Sequence, residues 1–245
     1  MTGTIVITGA SAGIGRATAE RFLQAGWNVA LLARRDEVLK EICHGCPTAL
    51  PVACDVTDLG AVEAAFDAAA GRFGRIDVLF NNAGVFPESG LIDEIAPESW
   101  SSAVAVNLTG MFNAARAAFA RMRRQEPQGG RIINNGSISA HVPRPNSVAY
   151  TTTKHAITGL TKSLSLDGRP YDIACGQIDI GNARTELLED VIERTLEADP
   201  LAEVPPTMDV SHVADAVLNM AELPLSANVQ FMTLMATKMP YIGRG

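Results

Sequence analysis

Hydrophobic and polar positions along this chain switch repeatedly between two periods. Short continuous apolar runs occupy residues 5–7, 29–32, 50–54, 78–80, 131–134, 173–178 and 229–234. Their length and β-branched content predict strands buried on both faces. Between them, apolar residues recur at helical spacing over 14–25, 36–42, 61–73, 99–124, 150–166 and 210–223. Gly26 and Gly74 supply stops, and Asp58 stands where an N-cap belongs. Seven strands alternating with helices, without a linker or repeat, predict an α/β fold. It is a doubly wound parallel sheet with helices on both faces, one domain over residues 1–245. One stretch breaks the alternation. Residues 184–206 read as an amphipathic helix with a Pro-rich tail. The segment leaves the carboxyl end of the sixth strand, where such sheets bind ligands, and is expected to form a substrate lid.

Composition narrows the function classes. A net charge of −7 with no long basic block argues against nucleic acid as a partner. No apolar run is long enough to span a membrane and no cleavable signal pattern opens the chain, so a cytoplasmic location is expected. Arg121, Arg123 and Arg124 read as the exposed end of a long helix. Cys43-His-Gly-Cys46 lacks a second ligand pair at zinc spacing, so no metal is expected there. Cys54 and Cys175 lie in apolar runs and read as core.

Chemistry concentrates in two places. Thr8-Gly-Ala-Ser-Ala-Gly-Ile-Gly15 follows the first strand and opens the first helix. Glycines there allow a tight turn and close backbone approach, and the helix N-terminus offers free N–H groups to a pyrophosphate. The spacing Gly-x3-Gly-x-Gly differs from the commoner Gly-x-Gly-x2-Gly. The second strand ends in Ala33-Arg34-Arg35, with no carboxylate before Asp36. A cation at this place suits a 2′-phosphate, so Arg34 favours NADP(H) over NAD(H), although Ala12 adds no second cation within the loop. Farther on, Tyr150 and Lys154 stand four apart on one helical face, with Ser137 thirteen residues upstream of Tyr150. An ammonium beside a phenol favours the phenolate and brings its pKa toward working pH.

The ordered set of these motifs resembles the short-chain dehydrogenase/reductase family, in its single-domain branch of about this length, and the likeness runs over nearly the whole chain. It rests on the glycine loop Thr8 to Gly15, Cys54-Asp-Val56, Asn81-Asn-Ala-Gly84, Asn107, Ser137, Tyr150 and Lys154. The resemblance implies a Rossmann-type sheet and a nicotinamide cofactor held by Gly9, Ser11, Gly13, Ile14, Gly15 and Arg34. Asp55 and Val56 would border the adenine, and Asn82, Ala83 and Gly84 would support the binding core. Gly181, Ala183 and Thr185 would serve the nicotinamide side together with Tyr150 and Lys154. It further implies a homo-oligomer, dimer or tetramer, built through the helices at 99–124 and 150–166.

Two departures from the family pattern stand out. The chain reads Ile180-Gly181 where many relatives carry Pro-Gly, and Gly136 where many have a serine. Ser139 could compete with Ser137, but Ser137 keeps the spacing to Tyr150. The implied reaction is hydride transfer between the nicotinamide and a small ketone or secondary alcohol. Tyr150 would be the general acid, Ser137 a second donor to the oxygen, and Lys154 the ribose ligand and phenol tuner. Asn107 would anchor a water leading protons in from solvent. Ser139, His141, Val142, Leu187 and Leu188 are the expected pocket wall. Two rival classes stay open: a non-redox dehydratase or epimerase on the same fold, and a catalytically silent NADP(H) sensor.

Overall fold

A computed structural model describes residues 3–198 and 204–242. The strands are β1 (Thr4–Thr8), β2 (Asn28–Ala33), β3 (Ala49–Ala53), β4 (Val78–Asn81), β5 (Gly130–Asn135), β6 (Ile173–Ile180), β7 (Ala183–Arg184), β8 (Met208–Asp209) and β9 (Phe231–Leu234). The helices are α1 (Gly13–Gln24), α2 (Asp36–Cys43), α3 (Leu59–Phe73), α4 (Pro97–Val104), α5 (Met111–Arg124), α6 (Val148–Gly168), α7 (Glu186–Ala198) and α8 (Val210–Glu222). Seven strands form one parallel sheet in the order β3-β2-β1-β4-β5-β6-β9, and β7 pairs with β8 apart from it.

Alternation along each strand divides the core in two. Ile5 and Ile7 of β1 face α1, α2 and α8 with Phe22, Leu39 and Val217, while Val6 faces the opposite side with Phe66 of α3 and Met122 of α5. The expected caps are present. Asp58 accepts from the Ala61 amide at 3.1 Å, and Gly26 and Gly74 adopt φ of 81° and 88° just past their helices. On the far face, Glu63 and Asp67 of α3 form ion pairs with Arg116 and Arg121 of α5, so one member of the basic cluster is partnered.

The expected single helix over 99–124 is a composite. α4 and α5 are joined by a π-helical segment, Ala105–Gly110, and Asn107 lies within that segment. π turns insert an extra residue and often mark functional sites.

The order of strands reverses between β1 and β4, which opens a crevice at their carboxyl ends. Thr8 pins the two lips together, because its Oγ1 accepts from both the Asn82 and Ala83 amides at 2.9 Å. Arg131 at the start of β5 is buried, and its guanidinium donates to the carbonyls of Leu223, Pro224 and Ala227. It thereby fixes the turn from α8 to β9.

Candidate active site

The glycine loop lies against that crevice. Gly9 and Gly13 have φ of 68° and 50°, a region that disfavours other residues. A Cβ on Gly9 would stand 2.9 Å from Ala83 Cα, and one on Gly15 would strike the Gly9 carbonyl. Ala12 caps α1 with no side-chain hydrogen bond, which leaves first-turn amides beside Ile14 for an anionic ligand. Bare backbone at a helix N-terminus fits a dinucleotide pyrophosphate. Thr185, just after β7, faces this loop: a Cβ on Gly13 would lie 3.2 Å from its Cγ2. The Gly181 amide donates to the Leu234 carbonyl, and Ala183 is buried.

At the end of β2 the two arginines diverge. Arg35, not Arg34, bends onto the glycine loop, donating from Nη2 to the Ser11 hydroxyl at 3.1 Å and carbonyl at 3.2 Å. Arg34 lies near Asp55, whose carboxyl is held below its usual range by the Thr57 amide and hydroxyl and then by Arg34. Val56 packs under the π segment, where a Cβ on Gly110 would stand 2.6 Å from its Cγ2.

Across the crevice, Ser137, Tyr150 and Lys154 are brought together by β5, the following turn and α6. Ser137 Oγ accepts from the Ser139 amide at 3.1 Å, which engages a lone pair and leaves its proton to be donated elsewhere. Burial pushes the Tyr150 phenol above its ordinary pKa, while the Ser137 hydroxyl and then Arg144 act in the opposite direction. Phe86 stacks on the Tyr150 ring, with centroids 4.4 Å apart at 18°. The Lys154 ammonium donates to the Asn135 carbonyl at 2.8 Å and lies 5.6 Å from the Tyr150 ring centroid. Burial brings its pKa down to about 8 against the opposing charge of Asp179.

That shift has a testable sign. Between about 8 and 10.5 the unfolded chain holds the Lys154 proton that the folded chain has released, so this group's penalty is full below 8 and fades upward. Lys154→Met is expected to be more stable than the parent near neutrality, by up to about 3 kcal/mol. The gap should close by about pH 10.5, read by urea unfolding across pH. A gap independent of pH would contradict the assignment.

The Asn107 side chain is spent on the backbone of Val85. Its Oδ1 accepts from the Val85 amide at 2.7 Å and its Nδ2 donates to the Val85 carbonyl at 2.9 Å. The amide thus clamps the loop that follows Gly84 on to the π segment. Asn82 links three elements, donating to the Thr8 carbonyl and accepting from Asn135 Nδ2 at 2.8 Å.

Asp179 on β6 had no role in the sequence reading. Its carboxylate is 1% exposed and accepts from the Ser137 amide at 3.0 Å, Gln177 Nε2 at 2.7 Å and His141 Nε2 at 2.8 Å. It ends a buried chain of side chains running Asn81, Asn134, Thr161, Gln177. Of the expected pocket wall, Val142 lines a cavity, His141 is tied to Asp179 and Ser139 is buried. Leu188 is half-buried, with its amide bonded to Thr185, and the side chain of Leu187 lies outside the described residues. The Cys43 and Cys54 thiols are raised to about 11 and that of Cys175 to about 12 by burial, which keeps them protonated.

Known proteins place this arrangement. The profile of the family described as short chain dehydrogenase matches residues 3–195. The 2-(R)-hydroxypropyl-CoM dehydrogenase of Xanthobacter autotrophicus is 36% identical over 231 residues, covering 90% of this chain and 92% of that protein. A closed form of serine dehydrogenase complexed with NADP+ superposes with a TM-score of 0.88 at 25% identity, over 99% of this chain and 98% of that one. A 3-ketoacyl-(acyl-carrier-protein) reductase from Brucella melitensis complexed with NADH gives 0.84 at 26% identity, over 95% and 96%. With a parallel seven-stranded sheet, a glycine loop at its switch point and these relatives, the chain belongs to the short-chain dehydrogenase family of oxidoreductases.

Proposed function

We propose that the protein interconverts a small ketone and its secondary alcohol with NADP(H), using Tyr150 as general acid and base. The observation that carries this reading is the placement of Ser137, Tyr150 and Lys154 across the switch-point crevice from a glycine loop with uncapped helix amides. The cofactor would supply the two-electron chemistry. Gly9, Ser11, Gly13, Ile14 and Gly15 would hold its pyrophosphate, and Asp55, Val56, Asn82, Ala83 and Gly84 its adenine half and the crevice floor. Gly181, Ala183 and Thr185 would border the nicotinamide.

In the reductive direction the Tyr150 hydroxyl donates its proton to the carbonyl oxygen. Ser137, whose oxygen already accepts from the Ser139 amide, donates a second hydrogen bond where negative charge builds. Lys154 sets a positive charge close to the phenol and would hold the ribose hydroxyls of the cofactor, and Asn107 fixes the π segment that carries the crevice wall. The lid expected over 184–206, of which 199–203 lie outside the described residues, would be carried by α7, which follows Thr185 directly. Phe112 on α5 and Leu166 on α6 are apolar and exposed, which suits a homo-oligomer through those helices.

NADP(H) preference follows from two cations and the absence of a carboxylate at the end of β2. Arg35 adds to Arg34 the positive charge that Ala12 does not bring to the loop. A panel of ketones and sugars assayed with NADPH and NADH tests the reading. Turnover should favour NADPH. Arg34→Ala/Arg35→Ala should cost NADPH about 10-fold to 100-fold in kcat/KM and spare NADH, the loss expected for charge-assisted hydrogen bonds. Equal or better turnover of the parent with NADH would overturn the preference, and cofactor binding without turnover on any carbonyl would overturn the reaction.

A further inference from the structure

Beyond the Ser137 amide, two side chains of the connection from β5 to α6 fasten it to the end of β6 and the residues just after. His141 Nε2 bonds Asp179 at 2.8 Å, and three residues farther along both segments Arg144 Nη2 donates to Asn182 Oδ1 at 3.0 Å. Asn182 is itself held, donating from Nδ2 to the Pro206 carbonyl at 3.2 Å. Arg144 is thus an exposed side chain with a fixed direction.

Two cavities meet at Arg144. One, of about 290 Å³, lies toward Leu91, Ile92 and Thr151. The other, of about 230 Å³, lies toward Ile138, Met239 and Tyr241. Ile138 and Thr151 line these spaces, Ser137 and Tyr150 do not, and the link to the reacting groups is Arg144 itself, whose charge acts on the Tyr150 phenol. Among the described residues, Arg144 is the one charged side chain lining either cavity, and it forms no ion pair. Carboxylates of the surrounding segments have other partners or are exposed. Glu94 accepts from the Leu91 amide, Glu189 pairs with Arg184, Glu186 and Glu193 are exposed, and Asp179 is committed to its three donors.

A guanidinium has five N–H donors in one plane, and Asn182 occupies one. The rest match the paired oxygens of a carboxylate, sulfonate or phosphate. We infer that Arg144 anchors an anionic group carried by the substrate, with apolar walls on either side for the carbon chain. The inference takes the carbonyl–alcohol reading as its base and adds a substrate class: oxo acids, oxosulfonates or oxo phosphates and their alcohols. The described α7 carboxylates do not stand against it, because they are exposed and none lines either cavity.

The test pairs kinetics with binding. Levulinate and its methyl ester, and acetoacetate and its methyl ester, are compared with NADPH at constant ionic strength. The acids should have the lower KM. Arg144→Gln should raise KM for the acids about 10-fold to 100-fold, change the esters little, and be partly restored by Arg144→Lys. Calorimetric titration of the NADP-loaded protein with methanesulfonate, propionate and inorganic phosphate should show saturable binding that Arg144→Gln abolishes and should rank the three anion types. Acids and esters used alike, or equal losses on both in Arg144→Gln, would overturn the anion site while leaving carbonyl reduction in place. A joint loss with a shifted pH profile would assign Arg144 to Tyr150 instead. Anion binding lost with Arg144, but no turnover of any carbonyl, would keep the site and overturn the reaction.

Discussion

Tyr150→Phe is expected to lower kcat/KM for carbonyl reduction by at least about 10²–10⁴, the contribution typical of a general acid. The substitution removes one oxygen and keeps the ring. Phe86 can still stack on that ring, and the α6 backbone is untouched. The phenol's hydrogen-bonding partner is the Ser137 hydroxyl, a single neutral contact at the crevice, so thermal unfolding should change little. Burial makes this hydroxyl a poor place for a negative charge, and Ser137 and Arg144 offset only part of that cost. Such a group is a proton donor at neutral pH, which suits the reductive direction. Oxidation of the alcohol should therefore gain with rising pH more steeply than reduction loses. Steady-state kinetics of both directions with NADP(H), beside a melting curve, would check the effect. Near-parental turnover in Tyr150→Phe would remove Tyr150 from the proton transfer and with it the reading of the site.

Much of the fold was legible because parallel strands buried on both faces leave continuous apolar runs, and all seven fall where those runs lie. The glycine loop was legible because a positive φ and close backbone contact leave few residues other than glycine. The π segment was not, because Ala105–Gly110 keeps a helical pattern of apolar residues and the inserted turn depends on the Asn107 clamp to Val85. Choosing between Arg34 and Arg35 likewise needs the direction in which α2 starts, which neighbouring cations do not encode. Asp179 had a signal in plain sight. The apolar run read at 173–178 stops one residue short of it, whereas the strand continues to Ile180, and a carboxylate inside a buried strand must be paired. Reading that strand by its apolar content alone hid the charge, and Gly136, noted as a departure, was the other half of the same feature. His141 and Arg144 were likewise separable from the rest of their turn only once Asp179 and Asn182 had been placed opposite them.

Asp179→Ala should destabilise the protein by about 3–5 kcal/mol, the cost of leaving buried partners of a charge unmatched. The Ser137 amide, Gln177 Nε2 and His141 Nε2 all lose their acceptor at once. Because the Ser137 amide is one of them, kcat/KM should fall as well. Asp179→Asn should cost less stability, since one oxygen can still serve Ser137 and Gln177 while the new amide meets His141 and forces its other tautomer. Gly136 is bound to the same space. A Cβ there would collide with Asp179 Oδ1 and stand 2.6 Å from Gln177 Nε2, so Gly136→Ala should also be strongly destabilising. The two losses should not add. With the carboxylate removed, the alanine methyl at 136 loses its hardest clash and meets the end of the Gln177 side chain, freed of its bond to Asp179, so Gly136→Ala/Asp179→Ala should be clearly more stable than the sum of its single variants predicts. Urea unfolding of the four proteins in the cycle measures that coupling. Strict additivity would mean that the glycine does not owe its place to the buried carboxylate.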